Sequence, residues 1–103
     1  MMIQHIVLFN LKHRENSLEE QEFFHRVQKL SLIPEVHNLK HLRQLSQKNP
    51  FKYALSMTFE SLKFYQCYLK DVRHKSFVEN YWLAEVTEFM EVDLAPFSNE
   101  SLV

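Results

Sequence analysis

The chain has no glycine among its 103 residues. Phosphate-cradling loops of the Rossmann and Walker types need glycine where the backbone approaches a phosphate. Both are therefore excluded, and with them the common dinucleotide and nucleoside-triphosphate enzymes. Cysteine is almost as scarce, since Cys67 stands alone. No internal disulfide can form, and a reducing compartment, the cytoplasm, is expected. Cys67 itself is expected as a small helix residue, because no motif around it would activate a thiol. Cys-x-x-Cys is absent, and the six histidines show no His-Glu-x-x-His grouping. Neither a metal nor a cofactor is expected. No apolar stretch approaches the ~20 residues that span a bilayer, so no membrane association is expected. The apolar start carries Gln4, His5 and Asn10 and lacks a basic leader and a small-residue cleavage site, so no secretory signal is expected. A formal charge of −1 gives no net basic surface for nucleic acid.

What is present is apolar and aromatic. Nine phenylalanines and abundant aliphatic residues mark a globular chain. Its length suits one domain, 1–103, whose core is only marginally sufficient.

Periodicity divides the chain. Met2 to Leu11 reads as a strand, with Ile3, His5, Val7 and Phe9 on one face and Gln4, Ile6, Leu8 and Asn10 on the other. Apolar residues on both faces mean that both are covered. After a polar loop, Ser17-Leu18-Glu19-Glu20 is a capping box, in which Ser17 accepts from the Glu20 N–H and the Glu20 carboxylate reaches back. Phe23, Phe24, Val27, Leu30 and Ser31 then form the stripe of an amphipathic helix. Pro34 disfavours a helical Ile33, so the helix should end near Leu32.

Val36, Leu39, Leu42 and Leu45 recur every three residues, which fits a helix better than a strand. Asn49-Pro50 marks a turn. Lys52 to Phe59 alternates strictly, with Tyr53, Leu55, Met57 and Phe59 on one side, and is a strand. Ser61 should cap a second helix carrying Leu62, Tyr65, Tyr68 and Leu69 on one side. Residues 71–73 break that pattern, and His74, Phe77, Val78, Tyr81 and Trp82 begin a fresh helical stripe. Trp82 is expected to be a packing anchor. Phe89 to Leu94 alternates again, with Met90, Val92 and Leu94 opposite Glu91 and Asp93, until Pro96.

The first strand with His5, together with Tyr65-Gln66-Cys67-Tyr68-Leu69-Lys70-Asp71-Val72-Arg73-His74-Lys75-Ser76-Phe77-Val78, resembles the stress-responsive dimeric α/β-barrel family. The resemblance covers nearly the whole chain. It implies an α+β, ferredoxin-like βαββαβ fold with a split second helix, assembled as a dimeric α/β barrel. It also implies a strand at residues 36–46, against the three-residue period. The pattern alone leads to the same assembly. Such a chain places its helices on one face of the sheet and has no element left to cover the other, so a second copy is the simplest cover.

Plant polyketide cyclases of this type, such as olivetolic acid cyclase, close a linear polyketide by aldol condensation without metal or cofactor. Their tyrosine and histidine lie six residues apart, at positions that read Tyr68 and His74 here. The resemblance thus implies His74 as acid/base, Tyr68 as oxyanion donor, and His5, Phe23 and Phe24 in the pocket. Val7, Phe9, Val27 and Phe77 join them on the sidedness of the elements. The chain departs from the family's usual His-Pro-x-His, reading Asp71-Val72-Arg73-His74. Three functions are compatible with these residues: a homodimer binding a small apolar or carbonyl-containing molecule, a cofactor-free cyclase or lyase, and a structural dimer whose interior is filled by its own phenylalanines. His13, His25, His37 and His41 are expected in solvent. The acidic residues Glu85, Glu88, Glu91 and Asp93 are expected to face solvent or a partner's Lys and Arg.

Overall fold

The computed structural model describes residues 1–97. Four strands, β1 (Ile3–Leu11), β2 (His37–Arg43), β3 (Tyr53–Phe59) and β4 (Val86–Leu94), form one antiparallel sheet in the order β2-β3-β1-β4. Helices α1 (Leu18–Gln28), α2 (Leu62–Lys70) and α3 (Val72–Phe77) complete a ferredoxin-like α+β fold. A 3₁₀ turn, Lys29–Leu32, extends α1, and α3 runs on through a π-helical turn, Val78–Trp82, and a last turn, Leu83–Glu85.

The face assignments of the central strands follow the period-two pattern. Ile3, His5, Val7 and Phe9 of β1 are buried beneath the helices with Tyr53, Leu55, Met57 and Phe59 of β3. Phe23, Val27 and Leu30 of the first helical segment close over them, joined by Tyr65, Tyr68, Phe77 and Trp82. Ser31, assigned to the α1 stripe by spacing, is exposed because the 3₁₀ turn tightens the helix there. Ile33 takes an extended conformation (φ −71°, ψ 123°), as the following proline demands.

Helix starts obey local chemistry. The Ser17 hydroxyl accepts from the Glu20 N–H at 3.2 Å. The Glu20 carboxylate reaches back one residue further than expected, to the Asn16 N–H at 3.1 Å, because the Ser17 N–H is already bonded to the Arg14 carbonyl. The other Glu20 oxygen accepts from the Tyr53 hydroxyl, which ties the start of α1 to β3. Ser61 caps α2 through the Phe64 N–H. Asp71 caps α3 through the Arg73 N–H, so that helix begins two residues before His74. The π turn aligns Phe77 with Trp82, five residues apart, and both enter the core.

The segment with period three is a strand with a bulge. The register between β2 and β3 shifts between His37 and Lys40, and Asn38 sits in the left-handed region at φ 54°. The extra residue brings Val36 and Leu39 onto the same side, against the core, while Leu42 falls on the opposite face. The strand ends at Arg43, and Leu45 is exposed beyond it. Asn16 holds the other left-handed position, φ 64°. With no glycine in the chain, asparagine takes both, as the side chain that best tolerates this region.

The face of the sheet away from the helices carries Ile6 and Leu8 of β1 beside Val92 and Met90 of β4 and Ala54 of β3. Leu42, Met90 and Leu94 are each nearly half exposed there.

Candidate functional site

A cavity of about 250 Å³ lies between the sheet and the α2–α3 segment. Its floor is His5, Val7, Leu55 and Met57, its roof Tyr68, Leu69, His74, Phe77, Val78, Trp82 and Leu83, and its rim Leu30, Phe89 and Glu91. Most of this lining is apolar, and His5, Tyr68, His74 and Glu91 are the polar side chains in it. Concave, mainly apolar space with a few converging polar groups is the usual form of a small-molecule site.

The break at Asp71 brings two of those groups together. It ends α2 and starts α3 at a new angle, and the Tyr68 and His74 rings meet with centroids 4.4 Å apart. Burial, reinforced by the neighbouring Tyr65 and Glu91, raises the Tyr68 phenol above its ordinary pKa. It therefore stays protonated at neutral pH and remains a donor. Among the described residues none is hydrogen-bonded to its hydroxyl. His74 is lowered from the usual imidazole value, chiefly by burial and then by His5, against the opposing effect of the Leu69 carbonyl. That carbonyl lies 3.4 Å from Nδ1, a long and weak bond. His74 is thus neutral at pH 7.

His5 is anchored from the strand side. Asp93 on β4 pairs with it in register, and its Oδ1 lies 2.5 Å from His5 Nδ1. An ionised carboxylate only accepts, so Nδ1 carries the proton. In the neutral ring Nε2 then holds the lone pair. The Tyr65 hydroxyl donates to the other Asp93 oxygen at 3.1 Å and lies 3.2 Å from Nδ1. Burial and Asp93 both raise the Tyr65 phenol.

Of the residues expected at the site, the cavity gathers His5, Val7, Tyr68, His74 and Phe77. Phe9, Phe23 and Val27 do not line it. They are fully buried in the packing between α1 and the sheet, where the Phe9 and Phe23 rings meet at a tilt of 48° with centroids 5.9 Å apart. Phe24 lies on the other side of that packing and lines an open cleft of about 500 Å³ beside β2, with Glu20, His41 and Tyr53. In that cleft Tyr53 bonds Glu20, Gln28 bonds His41, and Phe24 stacks on His41.

Of the acidic residues, Glu88, Glu91 and Asp93 are exposed as expected, while Glu85 is withdrawn from solvent. Asp93 holds His5, Glu91 lines the cavity, Glu88 accepts from Asn10 at 2.7 Å, and Glu85 is largely buried against His13 and Arg26. His13 is correspondingly withdrawn from solvent, bonded to Glu85 at 2.6 Å. The strict alternation of β4 had placed Glu91 and Asp93 on one face. What it lacked was the sign of that face, which only pairing with β1 supplies. Spacing places Tyr65 on one side of α2 with Leu62, Tyr68 and Leu69, and nothing in that spacing points to Asp93. Among the described residues no group of three or more His, Cys, Asp or Glu side chains is arranged to hold a metal ion, and no helix is long and apolar enough to cross a membrane.

No functionally curated protein matches the chain in sequence. Solved structures do. A ferredoxin-like Dabb family protein from Mesorhizobium loti is 39% identical, with a TM-score of 0.92 over 94% of this chain and 98% of its own. A hydroxynitrile lyase from Passiflora edulis has a TM-score of 0.81 at 16% identity, over 95% of this chain and 96% of its own. A dimeric ferredoxin-like protein of unknown function from Thermobifida fusca has a TM-score of 0.76 at 18% identity, over 93% and 92%. Identities this low in the last two speak to the fold alone. The sequence profile of the Stress Responsive A/B Barrel Domain matches residues 3–96, nearly the whole chain. With that match and the Mesorhizobium relative together, the chain belongs to the stress-responsive A/B barrel (Dabb) domain family.

Proposed function

We propose that this protein is a homodimer that binds a small apolar or carbonyl-containing molecule in the cavity at Tyr68 and His74. One observation carries the reading: about 250 Å³ of space remains where a purely structural core would be filled, and His5, Tyr68 and His74 all border it. A cavity of about 150 Å³ is already enough for one benzene ring. This one takes a ring with a short polar substituent. Two observations support the homodimer: the apolar outer face of the sheet needs a cover, and solved proteins of like fold are dimeric. NMR titration with acetophenone and cyclohexanone tests it. Saturable shifts confined to residues around the cavity are expected. Shifts scattered over the surface, or none, would refute it.

The protonation states favour a second reading, a cofactor-free lyase or cyclase. A neutral imidazole beside a protonated phenol is a base next to an oxyanion donor. His74 would take a proton from the carbon beside a carbonyl, and the negative charge formed on the oxygen would be held by the Tyr68 O–H. Return of the proton from His74 closes the cycle. In D2O the same two steps exchange the methyl protons of acetophenone for deuterium, which NMR reads directly. Exchange no faster than in buffer would leave binding without catalysis.

A further inference from the structure

The charge around the cavity is one-sided. Among the described residues no lysine or arginine lines it, while Glu91 stands on its rim and Asp93 lies behind His5. Asp93 is occupied by His5 and Tyr65. Glu91 is different. Among the described residues none forms a hydrogen bond or ion pair with its carboxylate. Its place is fixed by the sheet, since Glu91 pairs with Val7 in register and Val7 forms part of the cavity floor. The edge strand therefore roots this side chain at the mouth, next to apolar walls from Phe89, Trp82 and Leu83. The two imidazoles do not offset it, because burial disfavours the charged form of His74 and His5 is taken up by its bond to Asp93.

We infer that Glu91 makes the cavity selective for a ligand with an apolar ring or chain and a protonated amine, and that it disfavours carboxylates. This rests on the proposed ligand cavity and adds to it the chemical class of the occupant. A cation at the mouth forms an ion pair with this unpartnered carboxylate, whereas an anion there meets an unopposed like charge. Glu91 is exposed, so solvent screens the effect. Ion pairs in such places are worth up to about 1 kcal/mol, which is roughly a fivefold change in affinity.

Three probes of one shape test the inference: phenylethylamine, phenylethanol and phenylacetate, titrated by NMR at neutral pH and low salt. The amine is expected to bind about two to five times more tightly than the alcohol, with the carboxylate weakest. Raising the salt should narrow the spread. In Glu91→Gln the amine and alcohol should become equal, and in Glu91→Lys the order should invert. Both changes lie on an exposed edge position, and heat melting confirms that each variant is folded. Equal binding of amine and alcohol by the natural protein overturns the inference and leaves the ligand cavity standing. So does an amine preference that survives in folded Glu91→Gln. Failure of all three probes, and of acetophenone, overturns the cavity reading and this inference together.

Discussion

Replacing His74 by alanine separates a site residue from a packing residue. The structural cost is calculable. The imidazole packs against Tyr68 with centroids 4.4 Å apart, a contact of about 0.5–1.5 kcal/mol. Its 3.4 Å bond to the Leu69 carbonyl is long and adds about 0.5 kcal/mol, the low end for a hydrogen bond. Alanine returns about 0.5 kcal/mol through better helix propensity at a position inside α3. The net loss is therefore about 1 kcal/mol, or a fall of roughly 4–8 °C in melting temperature for a domain of this size. The functional cost is larger if the site works as proposed. Acetophenone affinity should fall about two- to tenfold for the lost contact between the imidazole and the ligand ring, an aromatic pair being worth about 0.5–1.5 kcal/mol. Methyl-proton exchange should fall about 100- to 10,000-fold for a lost general base. Differential scanning calorimetry and NMR titration on one variant supply both numbers. A melting temperature lowered as calculated, with ligand affinity and exchange rate untouched, would refute the functional assignment and leave His74 a packing residue.

Three further outcomes are expected. Leu8→Glu should abolish the homodimer, since the two-fold brings two like charges together on a face otherwise made by Ile6, Met90 and Val92; sedimentation of the natural protein as a stable monomer at micromolar concentration would contradict the assembly. Ser17→Ala should cost about 0.5–2 kcal/mol, because the Glu20 N–H loses its acceptor; an unchanged denaturation midpoint would mean that water replaces the hydroxyl. The pH dependence follows from His74, whose native pKa lies below its unfolded value near 6.5. Its unfolded form binds the proton more readily, so its contribution to stability is complete above about pH 6.5 and is lost as pH falls through the native value. Acetophenone exchange should titrate with the native value alone, so it stays on its neutral plateau to below pH 6.5 before it declines. A decline centred above pH 6.5, which His74→Ala leaves in place, would assign the proton to another group.

Period and punctuation along the chain specify most of the fold. The alternation of β1 and β3 fixed which side chains face the helices, since a one-residue slip would turn Phe9 and Met57 outward. Ser17, Ser61 and Pro34 set helix ends by bonds and clashes that reach only a few residues along the chain. The six-residue spacing of Tyr68 and His74 was equally legible, and the break at Asp71 made their meeting possible. The remaining features depend on contacts between distant segments. The period of three in β2 concealed a bulge, because an inserted residue changes the phase of a strand and can pass for helical spacing. Tyr53 on Glu20 and Asp93 on His5 join residues 33 and 88 positions apart, beyond the reach of any local pattern. The same holds for the division between cavity and core. Phe9, Phe23 and Val27 have the sidedness of pocket residues, yet close packing between α1 and the sheet fills the space around them. The α2–α3 segment instead leaves room over Val7 and Met57, and sidedness along one strand cannot say which part of the roof stands clear.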